Sequence, residues 1–233
     1  MHMLNIGLYI NQRVTAGGGF QEAISSLDTI SIDQSNLINI TIFTSLKENL
    51  QIINNLGFEA KYIPLNPLRR LQLFLRYSIL STCYKVIPGN ITISRMLKKF
   101  IGKYNYFEKY FVKSSIDLIY FTSPDPSAFY IENLNFISTL WDLAHRTIPE
   151  FPELRENESF ETRDYYYSKV LPKSFACVVG HSYAKQLAVK IYNISPQRVF
   201  VLPFRPSKFL IDIDQNQKIT KSIEHKFLDK YPP

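Results

Sequence analysis

Leu4, Ile6, Leu8 and Ile10 fall on one face of an extended segment, and Gly7 and Tyr9 between them are not strongly polar. That pattern predicts a strand covered on both faces. A loop over residues 11–19 follows and ends in Gly17, Gly18 and Gly19. Phe20, Ile24 and Leu27 then recur at helical spacing, so the glycines are expected at the start of a helix. Further along, apolar runs predict strands over 38–43, 58–63, 116–121, 136–141, 175–179 and 199–202. Helical periodicity covers 46–56, 157–171 and 183–192.

Two more helices are expected between the third and fourth strands. Leu68, Leu71 and Leu75 mark the first as a core-facing stripe, with Arg69, Arg70 and Arg76 beside them. Ile93, Leu97, Phe100, Tyr104, Phe107 and Phe111 mark the second, with Lys98, Lys99, Lys103, Lys109 and Lys113 off the stripe. Pro88, Gly89 and Asn90 separate the two. Strands alternating with helices, without an internal repeat, predict an α/β fold: a doubly wound, Rossmann-like parallel sheet with helices on both faces. Ligands of such sheets sit beyond the carboxyl ends of the strands. The glycine loop, Pro124 and Asp125, the stretch from Asp142 to His145, and Gly180 to Ser182 are all expected there.

The three glycines carry the first chemical suggestion. Without Cβ atoms the backbone reaches positive φ and a ligand can approach its N–H groups closely. A helix start adds unpaired donors and partial positive charge, so an anion such as a phosphate is the natural guest. A tight turn with no guest is the plainer alternative.

Composition narrows the setting. The chain has 233 residues, 45% of them hydrophobic, enough for one large domain or two small ones. Its two cysteines, Cys83 and Cys177, have neither metal-ligand spacing nor a disulfide framework, as expected of buried thiols in a reducing cytosol. Neither a signal peptide nor a transmembrane run is visible, so a cytoplasmic protein is expected. The net charge of +7 is unevenly placed: residues 61–113 hold eleven Lys or Arg against one acid, Glu108. Solvated basic backs of core-facing helices would account for this. The sharper reading is a face for anionic lipid headgroups or an anionic acceptor, making the protein peripheral at the inner face of a membrane. No nucleic-acid-binding motif accompanies the charge, so nucleic acid is not an expected partner.

The order of motifs then resembles a known family. After the glycine loop come Trp141, Asp142, Leu143, Ala144, His145 and Arg146. They are followed by the run from Ala176 to Ala184 through Gly180, His181 and Ser182, and by a segment from Tyr192 to Pro203. This order is similar to the N-terminal domain of a GT-B glycosyltransferase of the glycosyl transferase group 1, family 4 type. The resemblance implies transfer of a sugar from a nucleotide-sugar donor to a glycan or lipid-linked acceptor held mainly by this domain. It would set Gly17, Gly18 and Gly19 against the donor diphosphate, whose growing charge such a site must stabilise. His145 would face the reacting sugar as the catalytic group, with Asp142 orienting it or capping the next segment. Acceptor contacts would come from Arg13, Pro124, Asp125, His181 and Ser182. The resemblance implies no metal and no cofactor beyond the nucleotide-sugar substrate.

In that family a second domain of similar size binds the nucleotide and carries two glutamates separated by seven residues. Glu150 and Glu158 have this spacing but lie in an acidic loop before the first domain ends. The expected organisation is an N-terminal domain over 1–206 and a linker or tail over 207–233, with the donor-binding domain absent. The chain is expected to be inactive alone, as a fragment or as a subunit needing a donor-binding partner. A non-catalytic binding domain is an alternative. A further one is an α/β-hydrolase using Ser182 with Asp212 or Asp214 and His225, but too little chain follows Ser182 for that fold. A helix cap is the more ordinary role for Ser182.

Overall fold

The computed structural model describes residues 3–13, 19, 22–24, 37–55, 57–86, 96, 99 and 102–203. The chain divides into a unit of residues 1–203 and a second of residues 204–233, the latter outside the described residues. Seven strands form one sheet in the order β3-β2-β1-β4-β5-β6-β7, every neighbouring pair parallel. They are β1 (Leu4–Tyr9), β2 (Ile38–Thr44), β3 (Ala60–Tyr62), β4 (Leu118–Phe121), β5 (Asn135–Leu140), β6 (Ala176–Val179) and β7 (Val199–Val201). Each lies within two residues of its expected span. The order runs outward in both directions from β1 and β4, so the topological switch point falls between those two strands.

Successive strand residues enter two separate cores. Tyr9, Phe43, Phe121, Phe136 and Cys177 join one buried cluster, while Leu8, Ile42, Tyr120, Ile137 and Val178 join or pack against the other. Side chains alternate across a strand, so both faces of the sheet are covered and the strands carry apolar residues on both sides. Helix α1 (Lys47–Asn55) packs Ile53 into the second cluster, alongside Ala23 from the helical residues after β1. The first cluster is covered by α2 (Pro67–Val86), α3 (Glu108–Lys113), α5 (Ser159–Val170) and α6 (Ser182–Tyr192). The short α4 (Ala144–Thr147) follows β5.

Two expectations are corrected. Helix α2 is turned over: Leu68, Leu71 and Leu75 face solvent, whereas Leu73 and Leu80 are buried. The arginines decide the rotation. Arg76 grips Glu132 through two hydrogen bonds of 2.7 Å and donates to the Gly102 carbonyl. The Arg69 guanidinium lies 4.3 Å from the Tyr106 ring centre, and Arg70 donates to the Leu65 carbonyl. Bidentate and stacked arginines hold the helix by its basic side, which leaves the leucines outward.

The second basic helix is not one continuous stripe. Gly102 has φ of 84° and a turn covers the residues before α3, so Phe107 and Phe111 reach the core from a short separate helix. Ile93, Leu97 and Phe100 lie outside the described residues. Glu108, the one acid of this stretch, is fully buried, and its carboxylate accepts from the backbone N–H groups of Glu132 and Asn133.

Candidate functional site

The loops leaving β1 and β4 meet over the switch point. Asn11 Nδ2 donates to Asp125 Oδ2 at 2.9 Å, and Asn11 Oδ1 accepts from the Ser45 N–H after β2. Asp125 uses its other oxygen to accept from the Ser127 N–H, capping a single 3-10 turn (Pro126–Tyr130), while its own N–H donates to the Tyr166 hydroxyl. Asn49, buried on α1, donates to the carbonyl of Gln12. The β1 exit is therefore held from two sides. Arg13 projects outward, 3.6 Å from Glu48 and mostly exposed.

Gly19 lies against the end of β5. A Cβ built on it would stand 2.5 Å from Cη2 of Trp141, so the absence of a side chain is what lets the indole approach. Gly19 and the β5 exit thus share one place on the rim. Gly17 and Gly18 lie outside the described residues.

Beyond Trp141 the chain divides its polar groups. Asp142 accepts from the Ala144 N–H at 2.9 Å, the capping role weighed from the sequence, and its half-exposed carboxylate is 3.6 Å from Arg163. His145 turns inward and is fully buried, stacked near Tyr167 and edge-on to Phe160. The expected sugar-facing placement is therefore not the one its ring adopts. Its Nε2 is 3.3 Å from the Tyr192 hydroxyl, which itself donates to Asp164. With that proton committed, the geometry assigns the hydrogen to Nε2, leaving Nδ1 as an acceptor without a partner among the described residues. Arg146 clasps Asp164 through two hydrogen bonds of 2.7 and 2.6 Å. Burial keeps the imidazole below its ordinary range despite the opposing pull of Asp164. Burial pushes the Asp164 carboxyl up, but the Arg146 and Tyr192 hydrogen bonds outweigh it and hold it below the usual range.

A cavity of about 540 Å³ opens between the turn after β4 and helix α5. Pro124, Pro126, Phe129, Tyr165, Tyr166 and Tyr167 give it an apolar, aromatic lining, and Glu161, Thr162 and Arg163 complete it. Ligand sites are commonly concave, mainly apolar and supplied with a few polar groups. Arg163 joins the cavity to Asp142, and Asp125 joins it through Tyr166 to the β1 exit. The sequence held the three tyrosines as members of a helix. What it did not reveal was their shared floor with Pro124 and Phe129, which depends on α5 crossing the β4 turn.

At the β6 exit, His181 rather than Ser182 caps α6: its Nδ1 accepts from the Ala184 N–H at 3.1 Å. The imidazole can fill this role because the residue before the helix is extended and its ring folds back over the first turn. Both residues are exposed. Ser182 is not among the residues with positive φ, so the turn lacks the strained serine of a hydrolase nucleophile elbow. Asp212, Asp214 and His225 lie outside the described residues. Among those described, no group of acidic, His or Cys side chains is placed to hold a metal, and no helix is long and apolar enough to cross a membrane.

Fold and rim define an α/β Rossmann-like domain with its candidate site at the carboxyl ends of its strands. The sequence matches no protein-family model and no curated protein. Among solved structures the chain is similar to a glycosyltransferase from Rickettsia africae ESF-5, with 11% identity and a TM-score of 0.46. The match covers 93% of this chain and 50% of that one, so the chain spans about half the length of that structure. Nothing further rests on that likeness.

Proposed function

We propose that this chain is the acceptor-side, N-terminal half of a GT-B glycosyltransferase, moving a sugar from a nucleotide-sugar donor to a glycan or lipid-linked acceptor. The observation that carries the reading is the aromatic cavity between the β4 turn and α5, tied by Arg163 to the exit of β5. Aromatic rings pack against the apolar faces of a sugar or against a lipid chain, and flanking polar groups fix its orientation. Gly17, Gly18 and Gly19 lie toward the donor diphosphate in this reading, and Pro124 and Asp125 shape the acceptor side. Asp142, open at the β5 exit, is the group of the His145–Asp142 pair that meets the sugar. His145 positions the turn from behind. Arg13 on the loop after β1, and His181 and Ser182 at the start of α6, are exposed side chains that extend the acceptor surface. A donor-binding domain, in the same chain or in a partner, supplies the nucleotide site.

The test uses octyl glucoside and octyl mannoside below micelle formation as acceptor-like probes, followed by Trp141 emission and saturation-transfer NMR. Saturable binding that Thr162→Tyr weakens or abolishes is expected, because the added ring fills the cavity from an exposed position. Absence of binding to both glycosides, or unchanged binding by the variant, overturns the acceptor assignment. Turnover of UDP-glucose or GDP-mannose by the chain alone overturns the half-enzyme assignment. Enclosure of the His145 ring favours a second reading, a sugar-binding domain without catalysis. Glycoside binding that persists when a donor-binding subunit is supplied, with no transfer, would select it.

A further inference from the structure

Helix α2 presents to solvent the face that a surface helix ordinarily buries. Leu68, Leu71, Phe74, Leu75 and Ile79 are each between 49% and 62% exposed. At 100° per residue they share an arc of roughly 140° with Ser78 and Thr82, and between Leu68 and Thr82 no charged residue falls within it; Lys85 joins it in the last turn. The opposite side is anchored by Arg69, Arg76, Leu73 and Leu80, so the helix cannot roll to hide these residues without breaking the Arg76–Glu132 clasp. A contiguous apolar stripe of this kind marks an interaction surface.

The surrounding charge selects the occupant. Residues 61–113 hold eleven cations and one acid, and that acid, Glu108, is fully buried, with Oε1 taken by two backbone N–H groups and Oε2 by the Asn105 amide. The exposed charge of this segment is therefore all positive, with Lys61, Arg70, Lys103, Lys109 and Lys113 among the exposed residues. A two-fold contact between copies would set this basic region against itself. Residues 204–233 carry six cations and four acids, so the chain's own end is also net positive. An anionic bilayer answers both features: its acyl boundary receives the apolar stripe, and its headgroups receive the cations.

We propose that α2 lies in the plane of an anionic membrane, inserting Leu71, Phe74 and Leu75 at the acyl boundary and thereby bringing the cavity beside α5 close to the bilayer surface. This docking stands independently of the transferase reading. The test is flotation of the full chain with phosphatidylcholine vesicles, with and without phosphatidylglycerol. Binding to the anionic vesicles, weakened by added salt, is expected. Leu71→Ser/Phe74→Ser/Leu75→Ser, whose altered side chains lie outside the core, should keep the melting temperature and bind at least about tenfold more weakly. In Phe74→Trp, brominated lipid should quench emission beyond the quenching of Trp141 in the wild type.

Three kinds of result overturn the proposal. One is a wild-type chain that does not float with anionic vesicles. Another is equal binding to both vesicle types, or a triple variant that binds like the wild type. The third is a vesicle-indifferent dimer that the triple substitution dissociates, which would make a second copy the occupant.

Discussion

Gly19 and Trp141 meet so closely that a single added methyl group would lie 2.5 Å from the indole. The contact joins the segment after β1 to the end of β5, across the strand β4 that separates them in the sheet. It also makes the one tryptophan of the chain a reporter for the rim.

Gly19→Ala must push the indole aside, because Cη2 is the far end of a side chain and can yield where backbone could not. Emission of Trp141 is expected to shift to longer wavelength as the ring gains water, with a loss of about 1–3 kcal/mol of stability. Unchanged emission and an unchanged urea midpoint would contradict the contact.

Asp125 ties three elements together through Asn11, Ser127 and Tyr166. Asp125→Ala leaves buried donors without an acceptor and should lower stability by about 1–3 kcal/mol. Asn11→Ala loses its bonds to Asp125 and to the Ser45 N–H, both only partly buried, whereas Asp125→Ala strands the buried Ser127 N–H, so Asn11→Ala should cost less. Urea titration of both variants measures the ranking, and a larger loss in Asn11→Ala would contradict it.

The enclosed His145 makes stability depend on pH. Its folded-state pKa is lowered, so the unfolded chain binds the proton more readily, and stability present above the ordinary imidazole value of about 6.5 falls as pH drops through it. Asp164 has the same sign at lower pH: its depressed pKa adds stability above about 3.9 that is lost on acidification. Urea midpoints between neutral and mildly acidic pH should fall in the wild type and flatten in His145→Gln. A slope that survives the substitution would assign the titration elsewhere.

Cys177 is fully buried on β6, and burial pushes its thiol up to about 12. Thiolate is the reactive form, so in a Cys83→Ser background Cys177 should resist Ellman's reagent while folded and react once in urea. Fast labelling of the native protein would show that β6 opens readily.

The long-range pattern of this protein was legible because a parallel sheet has a strong local signature. Apolar residues on both sides of a strand follow from coverage on both faces, and each of the seven appeared as a run rich in such residues. The order of loops along the rim followed from the same alternation of strands and helices. Local chemistry was also readable at Asp142, where an aspartate just before a helical segment caps it.

Other features depend on partners distant in sequence. Helix α2 contains apolar residues on more than one side, and periodicity alone favoured the leucines as its inner face. Arg76 reversed that choice by finding Glu132, fifty-six residues away. His145 follows a strand end, where sequence suggests an open loop, yet Tyr167, Tyr192 and Phe160 from later helices close around it. The aromatic cavity likewise exists only where α5 passes over the β4 turn. Hydrophobic periodicity by itself determined the strands, their parallel arrangement and the rim beyond their carboxyl ends. Tertiary structure decided which face of α2 is inside, which way the imidazole points and where the cavity opens, because ion pairs and ring contacts between remote residues outweigh the local preference of any one segment.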